Sequence, residues 1–87
     1  MIFSLAPNYP NPFNPSINIG FTLAQAERVE LTVYNQLGMP VQELLQEYRD
    51  VGTHTILFDA ANLPSGLYFY QLKTSNGTLT RSMSLIK

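Results

Sequence analysis

Cysteine and tryptophan are absent from this 87-residue sequence, and charged residues make up only 13% of it. Without cysteine the chain has neither a disulfide framework nor a thiolate metal site. Cysteine usage therefore does not indicate whether the protein works in an oxidising or a reducing compartment. About a quarter of a typical soluble domain is charged, so we expect uncharged polar side chains to form most of the polar surface. The five basic residues are scattered and the net charge is −1. This composition gives no support for a nucleic-acid interface, which needs clustered basic residues.

Long apolar runs are also missing, since none approaches the roughly 20 residues that a membrane-spanning helix needs. The opening residues, Met1–Ser4, lack the basic and apolar regions of a secretory signal peptide. If the protein is exported, we therefore expect this chain to be a piece of a longer precursor. Its length fits one small domain with little stability to spare.

Apolar residues that alternate with a period of two predict β-strands along much of the chain. Ile17–Leu23 and Val29–Val33 carry this pattern, and Leu67–Leu72 is the most β-prone run. Asn76-Gly77 is a strong hairpin signal, which predicts that Thr78–Ile86 pairs with the strand before it. Six or seven strands at roughly ten-residue spacing, with no convincing helix, predict an all-β antiparallel sandwich with Greek-key connections.

One segment is ambiguous between helix and strand. Val41, Leu44, Leu45 and Tyr48 have helical spacing, whereas a strand would need a β-bulge to use both leucines. Because the segments on both sides are predicted to be strands, we predict that this segment is a strand as well.

The first 16 residues predict an extended, proline-rich lead-in to a sandwich domain over residues 17–87. Closely spaced prolines exclude a helix there: Pro7, Pro10, Pro12 and Pro15. Tyr9 and Phe13 are large apolar side chains that a solvated linker would not need. We expect both to dock against the domain and cover one end of it.

Catalytic and metal-binding patterns are not found in the sequence. His54 has no acidic neighbour in sequence and is expected to pack on the same strand face as Ile56 and Phe58. The serines lack a Gly-x-Ser-x-Gly setting, and no phosphate-binding glycine loop is present. The glutamates are expected to be solvated charges, with a calcium-binding pair as the alternative: Glu27, Glu30, Glu43 and Glu47. We therefore predict no cofactor, no metal and no enzyme activity in this chain alone.

Asn76-Gly77-Thr78 formally matches an N-glycosylation sequon. We favour the turn as its role, because Asn-Gly is already accounted for by the predicted hairpin. Asn14-Pro15-Ser16 is excluded as a sequon by the proline between its two key residues.

Both faces of the strand at Leu67–Leu72 are apolar. If Tyr68 and Tyr70 face the core, Phe69 lies on the outer face, with Leu57 and Tyr34 as possible neighbours in one patch. Cover by the lead-in segment, contact with another domain, self-association and a sugar-binding platform all remain open for this face.

Two strings of residues resemble a known family. Asn8–Pro15 reads NYPNPFNP and Leu63–Tyr70 reads LPSGLYFY, and together they are similar to the type A C-terminal sorting domain of the type IX (Por) secretion system. The likeness extends from about Leu5 to Lys87. The matching positions that we expect to be structural are Tyr9, Pro10, Asn11, Pro12, Phe13, Gly38, Gly66, Tyr68 and Tyr70.

The resemblance implies an immunoglobulin-like sandwich, related in fold to flagellar hook-cap domains, at the C-terminal end of a larger secreted protein. It implies a non-catalytic signal that directs the linked cargo through the periplasm and outer membrane to the cell surface or the medium. The implied partners are an outer-membrane translocon and a sortase-like peptidase. The alternatives are a structural interaction module and an accessory carbohydrate-binding module of a secreted glycan-degrading enzyme.

The end of the chain is the part that the resemblance implies is recognised. Its candidate residues are Met83, Leu85, Ile86 and Lys87. A terminal strand paired on one side can be bound by strand addition, in which backbone hydrogen bonds supply affinity and alternate side chains supply specificity. The alternative is that Leu85 and Ile86 only fill the last layer of the core.

Overall fold

Residues 3–7 and 16–86 are described by the structure, which is a computed structural model. These residues form seven β-strands, in chain order β1 (Phe3–Leu5), β2 (Ser16–Leu23), β3 (Glu27–Asn35), β4 (Pro40–Arg49), β5 (Gly52–Asp59), β6 (Gly66–Thr74) and β7 (Gly77–Leu85). Within these ranges no helix is long and apolar enough to cross a membrane.

The described strands form two antiparallel sheets that enclose one core. The first sheet has the order β1-β2-β5 and the second has the order β4-β3-β6-β7. Hairpins join β3 to β4 and β6 to β7 within the second sheet, whereas the other connections from β2 onward cross between the sheets. Such crossings define the Greek-key arrangement of immunoglobulin-like sandwiches. The predicted all-β, immunoglobulin-like fold is confirmed.

The core is built from the inner faces of both sheets. The first sheet supplies Leu5, Ile17, Ile19, Phe21, Leu23 and Phe58, and the second supplies Val29, Leu31, Val33, Leu45, Tyr68, Tyr70, Leu72, Met83 and Leu85. Because side chains alternate along a strand, the period-two pattern of the sequence places these residues inside. Burying each large apolar side chain contributes roughly 1.5–3 kcal/mol, which is the main stabilisation available to a chain without disulfides.

The ambiguous segment is the strand β4, and it contains the β-bulge that its two leucines required. Leu31 pairs with Leu45 and Thr32 pairs with Glu43, so Leu44 is the extra residue. Leu45 is buried and Leu44 packs, partly buried, against the same core. The bulge therefore reconciles helix-like spacing with a strand, and the predicted strand is confirmed.

Two details differ from the sequence-based expectations. Phe3–Leu5 forms the short edge strand β1, paired with β2, although nothing in the sequence had suggested a strand there. In the final hairpin the two turn residues are Ser75 and Asn76, and Gly77 opens β7 with a φ of 137°. The predicted hairpin is present, but its turn lies one position earlier than Asn76-Gly77. Tyr9 and Phe13 lie outside the described residues.

The strand faces generate a prediction about two phenylalanines. Phe58 is 1% exposed in the core, whereas Phe69 is only half-buried on the outer face of β6. Phe58→Ala should lower the free energy of unfolding by about 3–5 kcal/mol, and Phe69→Ala should lower it by less. Urea denaturation followed by circular dichroism measures both. Phe58→Leu and Phe69→Leu give the same comparison if Phe58→Ala does not fold, and equal losses in that pair would contradict the assignment of the faces.

Candidate functional site

The last strand, β7, lies at the edge of the second sheet. It pairs with β6 along its whole length, from Thr74↔Gly77 to Gly66↔Leu85. Its other side faces no further strand of its sheet among the described residues. An edge strand of this kind offers backbone N–H and C=O groups to an added strand.

The candidate recognition residues at the end of β7 fall into two groups. Met83 and Leu85 are 1% and 2% exposed, so they are core residues that hold the strand in place. Ile86 follows directly and is 55% exposed. Lys87 lies outside the described residues. The idea that Leu85 and Ile86 both fill the last core layer therefore fits Leu85 and fails for Ile86.

The LPSGLYFY string, Leu63–Tyr70, forms the corner before β6 and the first five residues of that strand. The Tyr68 hydroxyl donates a hydrogen bond to the Pro64 carbonyl oxygen at 2.6 Å, four residues upstream. Immunoglobulin-like domains have such a tyrosine corner at the same place in the fold. Gly66 begins β6 and pairs with Leu85, so this corner sits beside the end of the terminal strand.

Gly38 closes the turn between β3 and β4. Its φ is 83°, in the left-handed region that favours glycine. The Asn35 side-chain oxygen accepts hydrogen bonds from the backbone N–H groups of Leu37 and Met39 at 2.9 and 3.0 Å. Glycine and an asparagine side chain together fix this tight loop, which is a structural role.

The other end of β7 is held by a buried carboxylate. Glu27 is 4% exposed, so the expectation of a solvated charge was wrong for this residue. Its Oε1 accepts hydrogen bonds from the backbone N–H and the hydroxyl of Ser75 at 3.2 and 2.7 Å. The side-chain nitrogen of Asn76, Nδ2, lies 3.3 and 3.2 Å from the two carboxylate oxygens of Glu27. Burying the charge is tolerable because these donors satisfy it.

A comparison with protein-family models identifies the family of this chain. The model described as the secretion system C-terminal sorting domain matches residues 8–86, nearly the whole chain. The chain belongs to this family. Membership confirms the resemblance to the type IX sorting domains. A search of curated proteins finds no significant match to this sequence.

In the sorting domain, polar contacts join the two sheets next to β7. The Tyr70 hydroxyl donates to the Ala6 carbonyl oxygen at 2.7 Å, and Arg81 Nε donates to the Leu5 carbonyl oxygen at 2.6 Å. Tyr70 and Arg81 are cross-strand partners on β6 and β7, whereas Leu5 ends β1 of the opposite sheet. These two bonds link the end of β1 and the residue after it, Ala6, to the sheet that contains β7.

The outer face of the second sheet carries a shallow groove. Phe69 pairs with Tyr34, and both are half-buried. The groove has a volume of about 300 Å³ and is lined by Tyr34, Gly38, Phe69, Gln71 and Thr80. Leu57 lies in the first sheet, so its predicted place in a patch with Phe69 was wrong.

A sugar-binding platform needs exposed, coplanar aromatic rings. Of the aromatic side chains in residues 3–7 and 16–86, only Tyr48 is exposed. Its hydroxyl is directed to the Ala26 carbonyl oxygen at 3.3 Å, and it has no exposed aromatic neighbour in these ranges. The aromatic side chains of these ranges therefore do not form the platform that the carbohydrate-binding alternative needs.

His54 packs on its strand as the sequence suggested. Its ring stacks on Phe21 with centroids 5.2 Å apart, and Nε2 lies 2.8 Å from the Asp50 carbonyl oxygen. No three histidine or acidic side chains of the described ranges cluster closely enough to hold a metal ion together. These contacts give His54 a structural role in the sorting domain.

The contacts next to β7 predict an unequal effect of removing two tyrosine hydroxyls. Tyr70→Phe removes the bond from the buried Tyr70 side chain to Ala6 and should lower the free energy of unfolding by about 1–2 kcal/mol. Tyr34→Phe is the matched control, because its longer 3.3 Å bond to Gln71 lies on the outer face, and it should change stability by less than about 0.5 kcal/mol. Urea denaturation of both variants measures the difference. Equal losses would show that the Tyr70 bond does not join the sheets as described.

Proposed function

We propose that this sorting domain directs a larger protein, linked covalently to its N-terminal side, across the outer membrane to the cell surface or the medium. The domain is not catalytic and acts as a sorting signal. Its partners are an outer-membrane translocon, which binds it, and a sortase-like peptidase, which separates it from the cargo. Membership in the C-terminal sorting family supports the role in secretion.

One observation carries the proposed mechanism: β7 lies at a sheet edge and is followed directly by an exposed apolar residue, Ile86. Met83 and Leu85 act through the fold, because their side chains are buried. Ile86 is available to a partner, since more than half of its surface is exposed. The backbone of β7 supplies the hydrogen-bonding edge, and Ile86, followed by Lys87, supplies side-chain specificity.

An export assay tests whether Ile86 is recognised while the buried residues Met83 and Leu85 only support the fold. The domain is fused to the C-terminus of a periplasm-targeted reporter in a bacterium that has the type IX system, and the reporter is measured at the surface and in the medium. We expect export of the wild-type fusion. Ile86→Ser should reduce the exported fraction about tenfold, as expected if roughly 1.4 kcal/mol of apolar contact with the translocon is lost.

Leu57→Ser is the matched control, because Leu57 is 65% exposed but lies on the opposite sheet, away from the terminal strand. It should export normally. Both variants should keep the melting temperature of the wild type, which separates lost recognition from misfolding. Equal export of the two folded variants would remove Ile86 from the recognition site. A folded wild-type fusion that stays in the periplasm would overturn the sorting function itself.

A further inference from the structure

The turn between β6 and β7 contains a reactive sequence. Asn76 is exposed and is followed by Gly77. Asparagine is a thermolabile residue, and it loses its side-chain amide most readily before glycine. The reason is steric, since a residue without a Cβ lets its backbone nitrogen approach the asparagine side chain.

The structure places a carboxylate against this side chain. Asn76 Nδ2 lies 3.3 Å from Oε1 and 3.2 Å from Oε2 of Glu27. The Asn76 backbone N–H also donates to the Thr74 hydroxyl at 3.0 Å. Glu27 is itself nearly inaccessible to solvent, so its charge is screened less than that of a surface residue.

We propose that Asn76 is a site of spontaneous deamidation and that Glu27 suppresses the reaction in the folded domain. The Gly77 backbone nitrogen gives up its proton to solvent and attacks Cγ of Asn76. The Cγ–Nδ2 bond breaks, and Nδ2 leaves as ammonia with a proton returned from solvent. Water then opens the resulting succinimide to aspartate or isoaspartate. The net reaction consumes one water and releases one ammonia.

Glu27 opposes this reaction in two ways. Negative charge develops on the attacking nitrogen and on the amide oxygen in the transition state, and a carboxylate in contact with the same side-chain amide repels it. The leaving nitrogen is also held by both carboxylate oxygens, and those hydrogen bonds must be released. An unfolded chain has neither restraint, so we expect the reaction to depend on the folded state.

The product has a structural consequence for the terminal strand. Aspartate or isoaspartate replaces a hydrogen-bond donor with a second carboxylate that faces Glu27. Like charges at this separation repel, and the turn that begins β7 is weakened. A deamidated chain should therefore fold less stably than the original one.

Peptide mapping by mass spectrometry tests the protection. The 87-residue chain is incubated at mildly alkaline pH, either folded or in urea, and conversion at Asn76 is followed by the mass change of amide to acid. We expect conversion to be at least about fivefold slower in folded wild type than in folded Glu27→Gln or in the unfolded chain. Glu30→Gln is the control, because Glu30 lies on the same strand but pairs with Lys73, and it should convert at the wild-type rate. Equal rates in folded wild type and Glu27→Gln would overturn the proposal.

A second measurement separates charge repulsion from general loosening of the turn in Glu27→Gln. Asn76→Asp copies one product and is measured in both backgrounds by urea denaturation. It should lower the folding equilibrium constant at least about fivefold beside Glu27, and by less beside the glutamine of Glu27→Gln. Equal effects in the two backgrounds would show that Glu27 does not oppose the added charge.

Discussion

The structure depends on keeping the last strand, β7, in place although only one of its sides pairs with another described strand. A free edge strand tends to fray, and this chain has no disulfide that could hold it. Three sets of contacts replace that crosslink. Glu27 fixes the turn that starts β7, Arg81 ties its middle to β1, and Met83 and Leu85 bury its end in the core.

This arrangement suits a domain of the sorting family, because holding the strand and presenting it use different groups. The inward side chains near its end are buried, so they specify where the strand lies. Ile86 is exposed, and among the described residues the side of β7 away from β6 pairs with no other strand of its sheet. Under the proposed function, a signal built in this way would be recognised while the domain stays folded, and different substitutions would change its stability and its recognition.

Local sequence patterns predicted most of the fold. The alternation in β2 and β3 identified strands, because a half-buried strand has the same period as its side chains. The helix-like spacing of Leu44 and Leu45 was resolved correctly as a bulge once the neighbouring strands were considered. The short strand β1 was missed, since three residues are too few to show a period.

The contacts around the terminal strand could not be predicted in the same way. Glu27 and Ser75 are 48 positions apart, and a single glutamate in a polar segment gives no sign that it will be buried. The bond from Tyr70 to Ala6 also depends on how the two sheets meet. The different exposures of Leu85 and Ile86, by contrast, agree with strand alternation, which places Met83 and Leu85 on the inner face and the next residue, Ile86, outside.

Hydrogen exchange of the isolated domain, followed residue by residue with NMR, tests most directly whether the terminal strand is held in place with one open edge. The account predicts alternation along β7, with the N–H groups directed to β6 exchanging slowly and those directed to the open edge exchanging rapidly. Near Met83 and Leu85, the slow groups should approach the protection of the central strand β3. Exchange of all β7 amides at the rates of an unstructured peptide would contradict this account, because the strand would then be frayed.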